Sequence, residues 1–244
     1  SGNETGIIAA PVRGFGLATI AAKFDSPSPG FLPASPPAPP LDLPWNCFAV
    51  TSRGEKTLRG GLDGRGRAVP RELLPRTLCR AGAHFDLGHA FEAGSPSALR
   101  CAGQLVVVPS GFRRLLLLAA AFPWATEVEF VVDGVATPRR VAGGFAPLGR
   151  FDELERGFFG RPTGGVVPGF LRIEPVALAI PHRHDRHGAI DPCAPALFFA
   201  VELAVPSAGS ELLLPQARNL IVLAAALSDA PSPGARSVGA GEFG

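Results

Sequence analysis

Three of the five histidines in this chain of 244 residues fall within six positions, in His182-Arg-His184-Asp185-Arg-His187. Residues two apart on an extended strand point to the same face. His182 and His184 can therefore share a metal ion, with Asp185 or His187 added from the following turn. The intervening arginines oppose a bound cation, and imidazoles hydrogen-bonded across a sheet or against a neighbouring domain account for the same spacing. A second concentration is Gly61-Leu-Asp63-Gly-Arg65-Gly. Asp63 has a carboxylate suited to structural calcium, but calcium takes about 6–8 oxygens. Apart from backbone carbonyls only Asn46 and Glu72 are offered, and an aspartate that holds its own turn through backbone N–H groups explains the motif more simply. Asp152, Glu153 and Glu155 supply closely spaced acids; as catalytic carboxylates they need burial in a cleft, and by default they form a solvated turn. Ser110 lies in Pro-Ser-Gly-Phe and not in a nucleophile elbow. The Gly64-Arg-Gly66 pair lacks the strand-then-helix setting of a dinucleotide fingerprint. No catalytic residue is assigned. Ligand-binding candidates are Trp45, Asp63, Arg65, His182 and His184, and metal candidates are His182, His184 and Asp185.

The elements that position these residues are expected to be strands. Thirty glycines and 26 prolines interrupt the chain too often for long helices, while 46% hydrophobic residues suffice for a sizeable core. Residues 26–42 read as a Pro-rich extended linker, preceded by a remnant strand of an earlier β-domain in 1–25 and followed by a β-sandwich over 43–228. A disordered tail is expected over 229–244. Strands are expected at Gln104–Pro109 and at Phe112–Phe122, the latter buried on both faces. Thr126–Thr137 alternates around Asp133-Gly134, a strong hairpin signal. Arg172–Ile180, Ala196–Pro206, Glu211–Pro215 and Asn219–Leu227 complete roughly eight strands. The fold expected is all-β, a two-sheet jelly-roll-like sandwich.

A formal charge of +2 with scattered arginines excludes a nucleic-acid or membrane patch. The longest apolar run, Leu115–Phe122, is too short to span a bilayer. Cys47, Cys79, Cys101 and Cys193 are widely spaced and read as free thiols in a reducing compartment. Ser1-Gly-Asn-Glu-Thr carries no secretory pattern, so a cytoplasmic location is expected, and the lack of any Met points to a piece of a longer polypeptide.

Ten segments occur in a fixed order: Pro44-Trp-Asn, Leu62-Asp-Gly-Arg-Gly, Pro70-Arg-Glu-Leu-Leu-Pro, Phe85-Asp-Leu-Gly, Cys101-Ala-Gly-Gln, Leu115-Leu-Leu-Leu-Ala-Ala-Ala, Val131-Val-Asp-Gly, Gly149-Arg-Phe-Asp, Pro181-His-Arg-His and Leu212-Leu-Leu-Pro with the following Leu-Ile-Val-Leu-Ala-Ala. The order resembles the C-terminal β-sandwich region of bacterial α-mannosidase-like proteins of glycoside hydrolase family 38. The resemblance runs from about Leu43 to Leu227. It implies a non-catalytic accessory module whose partner is the catalytic domain of the same polypeptide, with homo-oligomer contacts as a further role. It implies zinc in that absent catalytic domain and no cofactor in this chain. The parent reaction would be hydrolysis of α-mannosides. An autonomous carbohydrate-binding module or a structural interaction domain are the competing expectations. Without any Tyr, sugar-stacking surfaces fall to Trp45, Trp124 or Phe.

Overall fold

The computed structural model describes residues 41–57, 60–145, 175–191, 195–206 and 208–229, together with the backbone of two short strands near the start. Those two, β1 (Ile7–Ala9) and β2 (Thr19–Ala21), pair antiparallel. Most of the linker, residues 146–174 and the tail beyond Asp229 lie outside the described residues, as do Asp152, Glu153, Glu155 and Cys193. Among the described residues, helix is confined to two single 3-10 turns, Arg71–Leu73 and Gly88–Phe91. Among the described residues no helix is long and apolar enough to cross a membrane.

Three small ribbons form a loop-rich layer. Strand β3 (Val50–Thr51) runs parallel to β4 (Val69–Pro70), β5 (Thr77–Arg80) forms a hairpin with β6 (Ala83–Asp86), and β13 (Arg183–His184) pairs with β14 (Ile190–Asp191). The rest builds two antiparallel sheets. Strands β7 (Leu99–Arg100), β9 (Arg114–Ala121), β12 (Val176–Ile180), β15 (Ala196–Ala204) and β17 (Leu220–Ser228) form a five-stranded sheet in the order β12-β15-β9-β17-β7. Strands β8 (Leu105–Val108), β10 (Thr126–Val132), β11 (Val135–Val141) and β16 (Ser210–Leu213) form a four-stranded sheet in the order β11-β10-β16-β8. The expected sandwich is present.

Strand β9 shows how sequence becomes architecture. Every residue from Arg114 to Ala121 is buried, which an alternating, half-solvated strand would not show. Leu115, Leu117, Ala119 and Ala121 face the four-stranded sheet and pack with Val106, Val108, Phe130 and Leu212. Leu116, Leu118 and Ala120 face the other way, onto Phe85, Leu87, Val69 and Phe198. The five-stranded sheet is thus the middle of three layers, with the ribbons on its far side. Strand β17 adds a bulge between Val222 and Ala224. One extra residue reverses the facing of everything after it. Leu220 and Val222 join the inter-sheet core before the bulge and Leu227 joins it after, so even and odd positions exchange roles.

The four-stranded sheet alternates instead. In β8, Val106 and Val108 are buried while Leu105 and Val107 stand in solvent. The β10–β11 hairpin turns at Asp133 and Gly134, both with positive φ (49° and 79°). These are the values a two-residue hairpin turn requires, and the Asp-Gly pair supplies them at little steric cost. The Asp133 carboxylate also accepts a hydrogen bond from the Glu211 N–H at 2.8 Å, tying the turn to β16.

Candidate functional site

The two loops that the sequence singled out meet in space. The backbones of Ala68 and His184 exchange hydrogen bonds, 3.0 and 2.9 Å, so the Asp63 loop docks along the edge of the β13–β14 ribbon. Gly66 has φ +87°, and a Cβ there would lie 2.6 Å from Arg186 Cβ. Glycine is needed both for the conformation and for the approach.

Each acid in these loops is already engaged. Asp63 Oδ1 accepts from the backbone N–H of Arg65 (2.9 Å) and of Arg67 (3.4 Å), and Oδ2 pairs with the Arg67 guanidinium at 3.2 Å. Arg65 therefore serves the loop through its backbone. Asp185 Oδ1 accepts from the N–H groups of His187 (2.8 Å) and Ala189 (2.9 Å), closing the turn between β13 and β14. Those bonds hold its carboxyl below the usual aspartate value although the group is exposed. Glu72 accepts from the Arg53 N–H at 2.9 Å. Burial pushes its carboxyl up, but this bond, with other hydrogen-bonding and nearby charge, brings it below the usual glutamate value.

His184 is buried, with Nδ1 3.1 Å from the Thr51 hydroxyl. Burial lowers its pKa, against the attraction of Glu72, and the neighbouring His182 lowers it further. The His182 and His184 rings lie 6.3 Å apart by centroid. Among the described residues no three His, Cys, Asp or Glu side chains gather in a way that would hold a metal ion. The arrangement is a set of loop locks around one neutral imidazole.

Sequence reasoning passed over the residue between the two histidines. Arg183 is buried, with its guanidinium carbon 3.5 Å from the centre of the Phe145 ring. Burial brings its pKa down to about 10, the nearby Arg67 charge adds to the effect, and Asp191 and Asp63 oppose it. Arg67 lies over the same ring at 5.6 Å. The only signal in the sequence is that Arg183 alternates with His182 and His184; nothing local says that the arginine faces inward.

The tryptophans separate. Trp45 stacks on His89, with centroids 3.9 Å apart and planes 11° from parallel, so one indole face is occupied by protein. Burial lowers the His89 pKa against the pull of the Ser97 backbone. Trp124, in contrast, is 71% exposed, two residues before β10. Next to β10 lies a groove of about 530 Å³, lined by Glu127, Glu129, Gln216, Arg218 and Asn219 among others.

Cys47, Cys79 and Cys101 are free thiols. Burial pushes Cys101 up to about 12 and raises Cys47 too, against the opposing charge of Arg100. Both are protonated at neutral pH and unreactive.

No curated protein matches the chain. The family model for the AziU2-like beta-sandwich domain matches residues 37–231, which include both sheets, the ribbon layer and both loops. The chain therefore belongs to the AziU2-like β-sandwich family.

Proposed function

We propose that this chain is a non-catalytic accessory β-sandwich module that packs against a catalytic partner. The observation that carries the reading is the state of the two aspartates in its docked loops. Asp63 and Asp185 spend their carboxylate oxygens on backbone N–H groups of their own loops and, for Asp63, on Arg67. A carboxylate that fixes its own loop is poorly placed to take or give a proton to a substrate. The finer reading makes the partner an α-mannoside hydrolase that uses zinc. It is supported by the order of the ten sequence segments and by nothing in the family match. Incubating the purified chain with an aryl α-mannoside and zinc tests the accessory role: no turnover above a heat-killed control is expected, and turnover would overturn it. For the finer reading, the coding sequence upstream of Ser1 should specify a zinc-binding His/Asp domain, and its absence there would remove that reading.

Exposed Trp124, two residues before the β10 segment that lines the groove, favours a second reading, direct carbohydrate binding. Sugar rings stack on aromatic planes, and the groove supplies acids, amides and a cation for hydroxyl groups. Calorimetric titration with mannose oligosaccharides tests it. Binding lost in Trp124→Ala and kept in Trp45→Ala would establish the site, and no heat in the wild-type chain would dismiss it.

A further inference from the structure

The two sheets have four lateral edges, and three of them are blocked. Strand β7 is two residues long, and the Asn46 side chain takes the place of a neighbouring strand: its Oδ1 accepts from the Arg100 N–H at 2.8 Å and its Nδ2 donates to the Arg100 carbonyl at 3.1 Å. Strand β12 carries a bulge between Val176 and Leu178, and Arg80 Nε donates to the Ala177 carbonyl at 3.2 Å. Strand β11 has Pro138 opposite Glu129. The hairpin closes on the hydrogen-bonded pair Val132/Val135, so position 138 points its backbone outward, where proline leaves no donor. Arg139 Nε, at 3.1 Å from the Glu202 carbonyl, ties the same strand to the other sheet. Bulges, proline, brevity and covering side chains are the usual defences against edge-to-edge pairing.

Strand β8 has none of them within Leu105–Val108. The Leu214 N–H bonds the Gln104 carbonyl at 2.9 Å, and β16 pairs Leu212 with Val106 and Ser210 with Val108. By antiparallel alternation Val106 and Val108 turn their backbone groups to β16, while Leu105 and Val107 turn theirs to the open edge. Their side chains are 56% and 69% exposed. No described residue covers this edge. Register places Leu105 beside Leu213, Leu213 beside Val131 and Val131 beside Ala136, an apolar row across the outer face that runs out at β8.

We infer that β8 pairs antiparallel with β8 of a second copy of this chain, joining two four-stranded sheets into one of eight strands. Residues 103–109 carry no charge, so two identical edges meet without like-charge repulsion. This neutrality favours a second copy over a charged partner. A two-fold axis beside Val106 sets Leu105 opposite Val107 of the partner subunit, and Val107 opposite the partner's Leu105. Both pairs then exchange two ladder hydrogen bonds, and both put apolar side chains together on the outer face.

The mass of the full chain should be measured by light scattering and sedimentation from low to high micromolar concentration. The wild type is expected to reach the dimer mass. Val107→Pro deletes an outward N–H that the chain's own ladder does not use, and Val107→Lys sets a charge against the partner's Leu105 and like charges diagonally across the axis; each should weaken association about tenfold or more, with a melting curve unchanged at concentrations where the wild type is monomeric. If Val107→Pro fails to fold, Val107→Lys decides. In a Cys79→Ser background, the double variant Leu105→Cys, Val107→Cys should oxidise to a covalent dimer, whereas Leu105→Cys alone should not. A wild type that stays monomeric throughout, or dimers of wild-type affinity in the Val107 variants, would overturn the inference.

Discussion

The two sheets contain similar residues and put them to different use. The five-stranded sheet is covered on both faces, so its strands are continuous apolar runs, and β9 holds four leucines and three alanines without a solvent-facing gap. The four-stranded sheet has one face in the core and one in solvent, so β8, β10 and β16 alternate. The inner sheet supplies rigidity and carries the ribbon layer with its loops. The outer sheet presents surface. A leucine therefore means different things in the two: Leu117 is fully buried, whereas Leu213 is 42% exposed.

The sharpest way to break this contrast is a truncation in each sheet. Leu117→Ala should cost about 2–5 kcal/mol, because a cavity opens where the chain cannot collapse. Leu213→Ala should cost about 0.5 kcal/mol or less. Urea titrations of the two variants report the difference directly, and equal losses would show that the outer face is buried after all.

The ribbon layer has its own weak point at Gly66. Gly66→Ala strains a positive φ and drives Cβ into Arg186, and a loss of about 1–3 kcal/mol is expected by thermal melting. Asp63→Asn, which keeps the shape and removes the charge facing Arg67, should cost only about 1 kcal/mol because the Arg67 side chain is part exposed. A loss much larger than that would show that the nearly buried Asp63 carboxylate and its backbone hydrogen bonds set the cost.

The smallest effect expected is on pH dependence. His89 and His184 have folded pKa values below the ordinary 6.5. The unfolded chain then binds more protons than the folded one, so stability falls as the pH drops below about 6.5. Glu72 and Asp185 are lowered from 4.5 and 3.8, so their contribution is kept above those values and lost only on further acidification. Melting temperatures between pH 7.5 and 5 therefore report the histidines, and His184→Asn should flatten that slope.

Much of the architecture was legible. The strand over Phe112–Phe122 was expected to be buried on both faces, and the ribbon layer makes Arg114–Ala121 so. Asp133-Gly134 announced its hairpin, because few other pairs adopt two positive φ values. The ribbons themselves were not legible. The β3–β4 pair is two residues wide and parallel, and β5–β6 turns on Ala81 and Gly82, where Ala81 takes φ 52° against its preference. Short pairings of that kind are chosen by the packing around them.

At the candidate site only part of what each residue does was legible. Asp63, His182, His184 and Asp185 do lie in two loops that touch, and Asp63 holds its own turn as its motif suggested. That Trp45 would spend a face on His89, or that Arg183 would lie buried against Phe145, depends on partners 44 and 38 positions away in the sequence.

The sequence by itself determined the strand-rich class, the hairpin and the doubly buried strand, because turn chemistry and apolar spacing act over a few neighbouring residues. Only the tertiary structure decided which acids were taken up by backbone donors, which tryptophan remained exposed and which sheet edge no described residue covers. Those outcomes depend on what distant segments bring to each side chain and each free backbone group, and no local pattern encodes that.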